Sequence, residues 1–175
     1  MRLYLLRHAK SSWDHPELDD HDRPLAPRGG RAAKAMAETL AREGIHLDAI
    51  LTSSALRARE TARRVLAPLG PEPEVVPDLY MAAPGEIFAL LRGLPTGVER
   101  VAVVGHNPGM QTFALRVSGG GPSTLQDRLR DKFPTGALAE IDLPVGDWSG
   151  VGPGSGTLLR FLRPKDLTVA RAFRL

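Results

Sequence analysis

The sequence contains no cysteine, so disulfide frameworks and zinc–thiolate centres are both excluded. Lysine is scarce: of 23 basic residues only Lys10, Lys34, Lys132 and Lys165 are lysines, and the rest are arginines. Aromatic residues make up 5% of the chain, and none interleave with the arginines as base-stacking platforms would. No apolar run approaches the roughly 20 residues that cross a bilayer. The opening stretch Met1–Leu6 is interrupted by Arg7 and His8, too soon for the apolar region of a signal peptide. A cytoplasmic location is therefore expected, with neither membrane nor nucleic acid as a partner. The 20 acidic residues nearly balance the basic ones, and no charge run stands out in the net +3. Phosphates carried by proteins or small molecules suit such dispersed arginines better than a polymer does.

Hydrophobic side chains form 42% of the 175 residues. That length suits one compact domain over 1–175. Short apolar runs at Leu3–Leu6, Ala49–Leu51, Val75–Val76, Val101–Val104, Leu138–Leu143 and Leu158–Leu162 read as strands. The first and fourth are nearly continuous, which suits strands covered on both faces. Helical spacing recurs between them. Ala32, Ala33, Met36, Ala37, Leu40 and Ala41 mark a helix over Arg31–Arg42 that Gly44 ends. Further helices are expected over Ala55–Leu69, Glu86–Leu94 and Met110–Val117, the last stopped by Gly119-Gly120-Gly121. Alternating strand and helix predict an α/β fold in three layers: a mainly parallel sheet with helices on both faces. The last two strands are separated by a glycine-rich stretch with no helical pattern, which predicts a long-loop hairpin and one antiparallel edge strand.

Two histidines end strands: His8 follows Leu3–Leu6, and His106 follows Val101–Val104 and Gly105. Ligands of open α/β sheets bind beyond the carboxyl ends of the strands, so neighbouring strands would bring both imidazoles to one crevice. Arg7 precedes His8 and can join it only if the chain turns there, because consecutive strand residues face opposite sides. Arg57 falls in the first turn of the helix after Thr52-Ser53-Ser54, where a cation opposes the helix dipole unless an anion binds. Ser53 or Ser54 is the expected cap of that helix.

Guanidiniums hold phosphoryl oxygens through paired, charge-assisted bonds that lysine cannot match. A neutral imidazole among them can attack phosphorus, because neighbouring positive charge keeps its lone pair free. A second histidine can stabilise charge developing on the equatorial oxygens. The scheme needs no metal and no cofactor. Asp20 or Asp22 could position a leaving group or a water, and Arg28 could extend the anion field. The aspartates of Asp14–Asp22 match no metal-binding motif, and the Gly150–Gly156 repeat precedes a strand instead of opening a helix, so it is not a dinucleotide fingerprint.

The ordered set Leu6-Arg7-His8-Ala9-Lys10-Ser11-Ser12-Trp13, Asp22-Arg23-Pro24-Leu25 with Arg28-Gly29, Ser53-x-x-x-Arg57-Ala58-x-x-Thr61-Ala62, Gly105-His106-Asn107-Pro108-Gly109 and Lys132-Phe133-Pro134-Thr135-Gly136 resembles the histidine phosphatase superfamily, with its phosphoglycerate mutase-like fold. Its details are similar to the SixA-type phosphohistidine phosphatase branch. The resemblance implies a nucleophile at His8 that is transiently phosphorylated, and a phosphate pocket of Arg7, Arg57 and His106. Larger members carry a Glu-Gly general acid after the third strand. Here that stretch reads Leu79-Tyr80-Met81-Ala82-Ala83-Pro84-Gly85-Glu86, and Glu86 falls in a helix's first turn. A phosphoramidate leaving nitrogen needs less protonation than a sugar alkoxide, so the missing acid fits a phosphohistidine substrate and argues against mutase activity. Three readings stay open: a monomeric phosphatase of phosphohistidine on a protein, a phosphatase of small phosphate esters, and a phospho-ligand binding module without turnover.

Overall fold

The computed structural model describes residues 1–167. Strands are β1 (Arg2–Arg7), β2 (Ala49–Thr52), β3 (Glu74–Val75), β4 (Arg100–Gly105), β5 (Ser118–Gly120), β6 (Leu138–Asp142) and β7 (Gly156–Leu162). Helices are α1 (Pro27–Arg42), α2 (Leu56–Val65), α3 (Pro84–Arg92), α4 (Gly109–Val117) and α5 (Ser123–Asp131). All seven strands form one sheet in the order β3-β2-β4-β1-β6-β7-β5. β1, β2, β3 and β4 run parallel, while β6 runs antiparallel to both of its neighbours, β1 and β7.

The expected α/β architecture is present, with one difference in detail. The antiparallel strand lies inside the sheet, because β5 pairs in parallel with β7 and takes the edge. The glycines that end α4 thus do more than stop a helix. Gly119 and Gly120 carry no side chain to obstruct a close approach to the turn before β7, where Gly154 O lies 2.4 Å from a Cβ added at Gly119.

β1 and β4 explain the three layers. Leu3, Leu5, Val101 and Val103 point into a core shared with Phe88, Phe113, Leu129 and Phe133, beneath α3, α4 and α5. Tyr4, Leu6, Ala102 and Val104 alternate to the opposite face and pack on Ala33, Met36, Leu40, Ala58 and Val65 of α1 and α2. With both faces covered, neither strand needs polar alternation, hence the continuous apolar runs. α5 escapes the periodicity because its sequence offers only Leu125 and Leu129 as apolar residues, and Leu129 alone is buried. The loop between β6 and β7 is anchored where glycines predicted slack: Trp148 is buried and its Nε1–H donates to Val98 O at 2.6 Å.

Candidate active site

The site gathers at the carboxyl ends of β1, β2 and β4, three adjacent strands. β1 ends at Arg7, and the chain turns there: His8 N–H still reaches Gly105 O on β4 (3.1 Å), while Gly136 N–H donates to both Arg7 O and His8 O (each 3.0 Å). Gly136 has φ 75°, a left-handed conformation that suits glycine. This turn gives the Lys132–Gly136 segment its structural purpose. The next residue is tied as well, since Ala9 N–H donates to the Thr61 hydroxyl (3.0 Å), which in turn donates to Arg57 O (2.6 Å). One buried threonine thus joins the loop after β1 to the helix that carries Arg57.

His8 and His106 are both buried, with ring centroids 5.0 Å apart. Nδ1 of His8 faces Ala9 O at 2.8 Å, so it carries the proton and leaves the lone pair on Nε2. His106 has the opposite arrangement. Its Nδ1 lies 3.4 Å from an Arg57 terminal nitrogen, which can only donate, so Nδ1 accepts and Nε2–H donates to Ser53 Oγ at 2.7 Å. Burial lowers the His8 pKa to about 4; the bond to the Ala9 carbonyl opposes it, and the Arg57 and Arg7 charges add smaller downward shifts. Burial, then the neighbouring His8 and Arg57, lower that of His106 to about 3. Both imidazoles are therefore neutral at physiological pH.

Arg7 donates to Phe133 O at 2.7 Å, and its Nε–H is buried without a partner. A buried, unsatisfied donor on a cation is the condition expected of a group awaiting an anion. Burial and the like charge of Arg57 lower the Arg7 pKa. Arg57, also buried, bonds Asp20 twice: to its backbone carbonyl, and to its carboxylate at 2.8 Å. Arg23 (2.9 Å) and the Tyr80 hydroxyl (2.9 Å) complete the shell of Asp20. Burial pushes the Asp20 carboxyl up, but the bonds from Arg57 and Tyr80 outweigh it and hold the pKa below the ordinary value. Burial and then Asp20 raise the Tyr80 pKa, keeping the phenol protonated.

The structure thus brings Arg7, His8, Arg57, His106 and Asp20 together, sets Asp22 apart from them, and places Arg28 in the wall of a cavity that Arg7 also lines. Asp22 turns outward to His21 Nδ1 (3.1 Å), and Arg28 lies on the neighbouring surface beside Lys10. The expected serine cap of α2 is corrected. Ala55 is the N-cap residue, Ser53 accepts from Ala55 N–H at 3.3 Å while holding His106, and Ser54 meets His21 Nε2 at 2.9 Å. Glu86 accepts from Ala83 N–H at 2.6 Å and so closes the start of α3. Trp13 is 70% exposed, with the Arg23 guanidinium 3.2 Å over its ring. Sequence reasoning passed over three contributors. Arg23 is a buried hub that also bonds Ser11 and Ser12. Tyr80 packs edge-on to His106 at 5.4 Å. The Phe133 carbonyl also accepts from Asn107 Nδ2 at 3.3 Å. Only Arg23 and Phe133 stood in segments with a readable motif.

Residues 3–87 match the family model described as the histidine phosphatase superfamily (branch 1). An uncharacterized protein of Mycobacterium tuberculosis is 35% identical over 164 residues, 91% of this chain and all of its own. A crystal structure of a candidate phosphohistidine phosphatase SixA from Agrobacterium tumefaciens superposes with TM-score 0.76 at 31% identity, covering 93% of this chain and 97% of that one. The chain belongs to the histidine phosphatase superfamily. Within that superfamily, phosphohistidine phosphatase SixA of Escherichia coli is 27% identical over 98% of this chain and 99% of its own. The protein histidine phosphatase SixA complexed with tungstate superposes with TM-score 0.76 at 27% identity, covering 95% and 99%. Among the described residues no helix is long and apolar enough to cross a membrane.

Proposed function

We propose that this member of the superfamily is a metal-independent phosphohistidine phosphatase that removes phosphate from a histidine of a protein, such as a phosphotransfer domain, through a phosphorylated His8. The observation that carries the reading is the pair of neutral imidazoles 5.0 Å apart beside Arg57, with His8 Nδ1 committed to Ala9 O. His8 Nε2 attacks phosphorus as the bond from phosphorus to the substrate's histidine nitrogen breaks, while Arg7 and Arg57 hold the equatorial oxygens. The substrate's imidazole departs neutral, with a proton from solvent. Ser53 Oγ can accept from or donate to His106 Nε2, so it can follow a change of tautomer that turns Nδ1 into a donor toward an oxygen of the transition state. Water then releases phosphate from His8.

The identity of the leaving group follows from the acids around the pocket. Asp20 is held ionised and Tyr80 protonated with a raised pKa, so neither is poised as a strong acid near pH 7. A phosphoramidate nitrogen tolerates that, and an alkoxide leaving group does not. The E. coli relative, a phosphohistidine phosphatase by name, adds support. A cytoplasmic monomer, with neither nucleic acid nor membrane as partner, belongs to the same proposal.

The test is turnover of a phosphohistidine-bearing phosphotransfer domain in excess chelator, followed by rapid quench. Wild-type protein releases phosphate and yields acid-labile phosphate on the chain, and His8→Ala does neither. Full turnover by His8→Ala, or activity lost to the chelator, overturns the mechanism. Efficient hydrolysis of sugar phosphates beside an inert phosphohistidine substrate overturns the choice of substrate.

A further inference from the structure

Three of the four lysines in the chain, Lys10, Lys132 and Lys165, line a single cavity of about 510 Å³. Arg7 lines it too, so the cavity adjoins the phosphoryl pocket directly. Arg28 and Arg163 add two more cations, against one acid among the described residues of the wall, Asp131. Arg163 is already neutralised by Asp166 at 2.9 Å. The side chains of Lys10, Arg28, Lys132 and Lys165 make no ion pair with any described residue. The contributors come from four places: the loop after β1, the first turn of α1, the segment after α5 and the segment after β7.

Elsewhere the arginines of this protein find carboxylates readily, as Arg2 and Arg160 do with Glu140, and Arg57 and Arg23 with Asp20. Four cations with no ion pair among the described residues, set around one concave wall, repel each other and raise the local potential for an anion. The first turn of α1 carries Arg28 and no acid, so its dipole adds to that potential instead of offsetting it. Lysine also fits this surface chemically. Its ammonium is a mobile point charge that follows anions of varied geometry, whereas the forked Arg7 and Arg57 are matched to one tetrahedral group.

We propose that this cleft is an anion subsite that takes a second anionic group of the substrate, carried beside the phosphoryl group that reaches His8. The proposal rests on the reading of the His8 pocket as a phosphoryl site, but not on phosphohistidine as the substrate. The second anion is either a carboxylate near the phosphorylated residue of a polypeptide or a second phosphate of a small molecule, and the test separates these sources.

Binding is measured by calorimetry on His8→Ala protein, so that hydrolysis does not enter. It is compared with the same protein also carrying Lys10→Gln, Lys132→Gln and Lys165→Gln. The ligands are two phosphohistidine peptides, with acidic or neutral flanks, and an alkyl bisphosphate beside its monophosphate. One partner, peptide or bisphosphate, is expected to bind about 10-fold more tightly than its singly anionic counterpart, a factor typical of several exposed ion pairs acting together. The triple glutamine variant is expected to lose that preference while binding the singly anionic ligand unchanged, and 0.5 M salt is expected to reduce it. Preference for the acidic peptide identifies a polypeptide source, and preference for the bisphosphate a small molecule. No preference for either pair, or a preference that survives the three substitutions, overturns the proposal. An inert phosphohistidine peptide in wild-type turnover overturns the substrate assignment alone, and the bisphosphate arm still decides the cleft.

Discussion

At the scale of single residues, the pocket is held in an anion-ready state by a carboxylate of its own. The Asp20 carboxylate occupies an Arg57 N–H at 2.8 Å, yet its side chain is 51% exposed and so can be displaced by a competing anion. Asp20→Asn removes this competitor, and inhibition by inorganic phosphate is expected to strengthen about 5-fold, read as a lower inhibition constant. Ser53→Ala removes the partner of His106 Nε2 and leaves a buried donor unsatisfied. We expect kcat to drop about 10-fold with KM nearly unchanged, because the bond steers the imidazole and does not touch substrate. A change in KM alone would contradict that role. His8, His106, Arg7 and Arg57 were legible because each stands just past a strand run or in the first turn of the following helix. Asp20 could not be told from Asp22, since the 3-10 turn Asp20–Asp22 points its side chains by a local geometry that has no sequence period. Tyr80 left no signal at all, as its place depends on how the segment after β3 folds back over the pocket.

At the scale of elements, the position of the nucleophile depends on how closely α1 approaches the loop after β1. A Cβ added at Gly29 would lie 2.1 Å from Lys10 O, a backbone atom that cannot simply rotate away. Gly29→Ala is therefore expected to cost on the order of 1–3 kcal/mol of stability. It also displaces the loop that begins with His8, so catalytic activity falls more than the loss of folded protein explains. Thermal unfolding and active-site titration of the same preparation separate the two effects. Helices with a full apolar stripe, such as α1, were readable to within a few residues. α5 was not, because a nine-residue helix with one buried leucine is stabilised by where the chain packs and not by its own pattern. β5 was hidden for a related reason: a strand built on Ser118-Gly119-Gly120 has no side-chain signature and exists only because β7 offers an edge.

At the scale of the whole molecule, two histidines buried without charge make stability depend on pH. Their folded pKa values, about 4 for His8 and about 3 for His106, lie below the ordinary 6.5, so an unfolded chain takes up protons that the folded one refuses. Their contribution is complete above pH 6.5 and is lost as pH falls through the folded values. The melting temperature is expected to drop steadily on acidification from pH 6.5 to about 4. His106→Asn, with one such group removed, is expected to show a shallower slope by calorimetry. An equal slope in both proteins would place the acid sensitivity elsewhere. The sheet order was not legible, because nothing in the strand sequences says that β6 inserts between β1 and β7.

The bond between His8 Nδ1 and the Ala9 carbonyl has a stereochemical corollary. With that nitrogen engaged, only the outer one is open to phosphorylation, so any trapped intermediate carries the tele isomer of phosphohistidine and none of the pros isomer. Antibodies that discriminate the two isomers would read this from a single quenched sample.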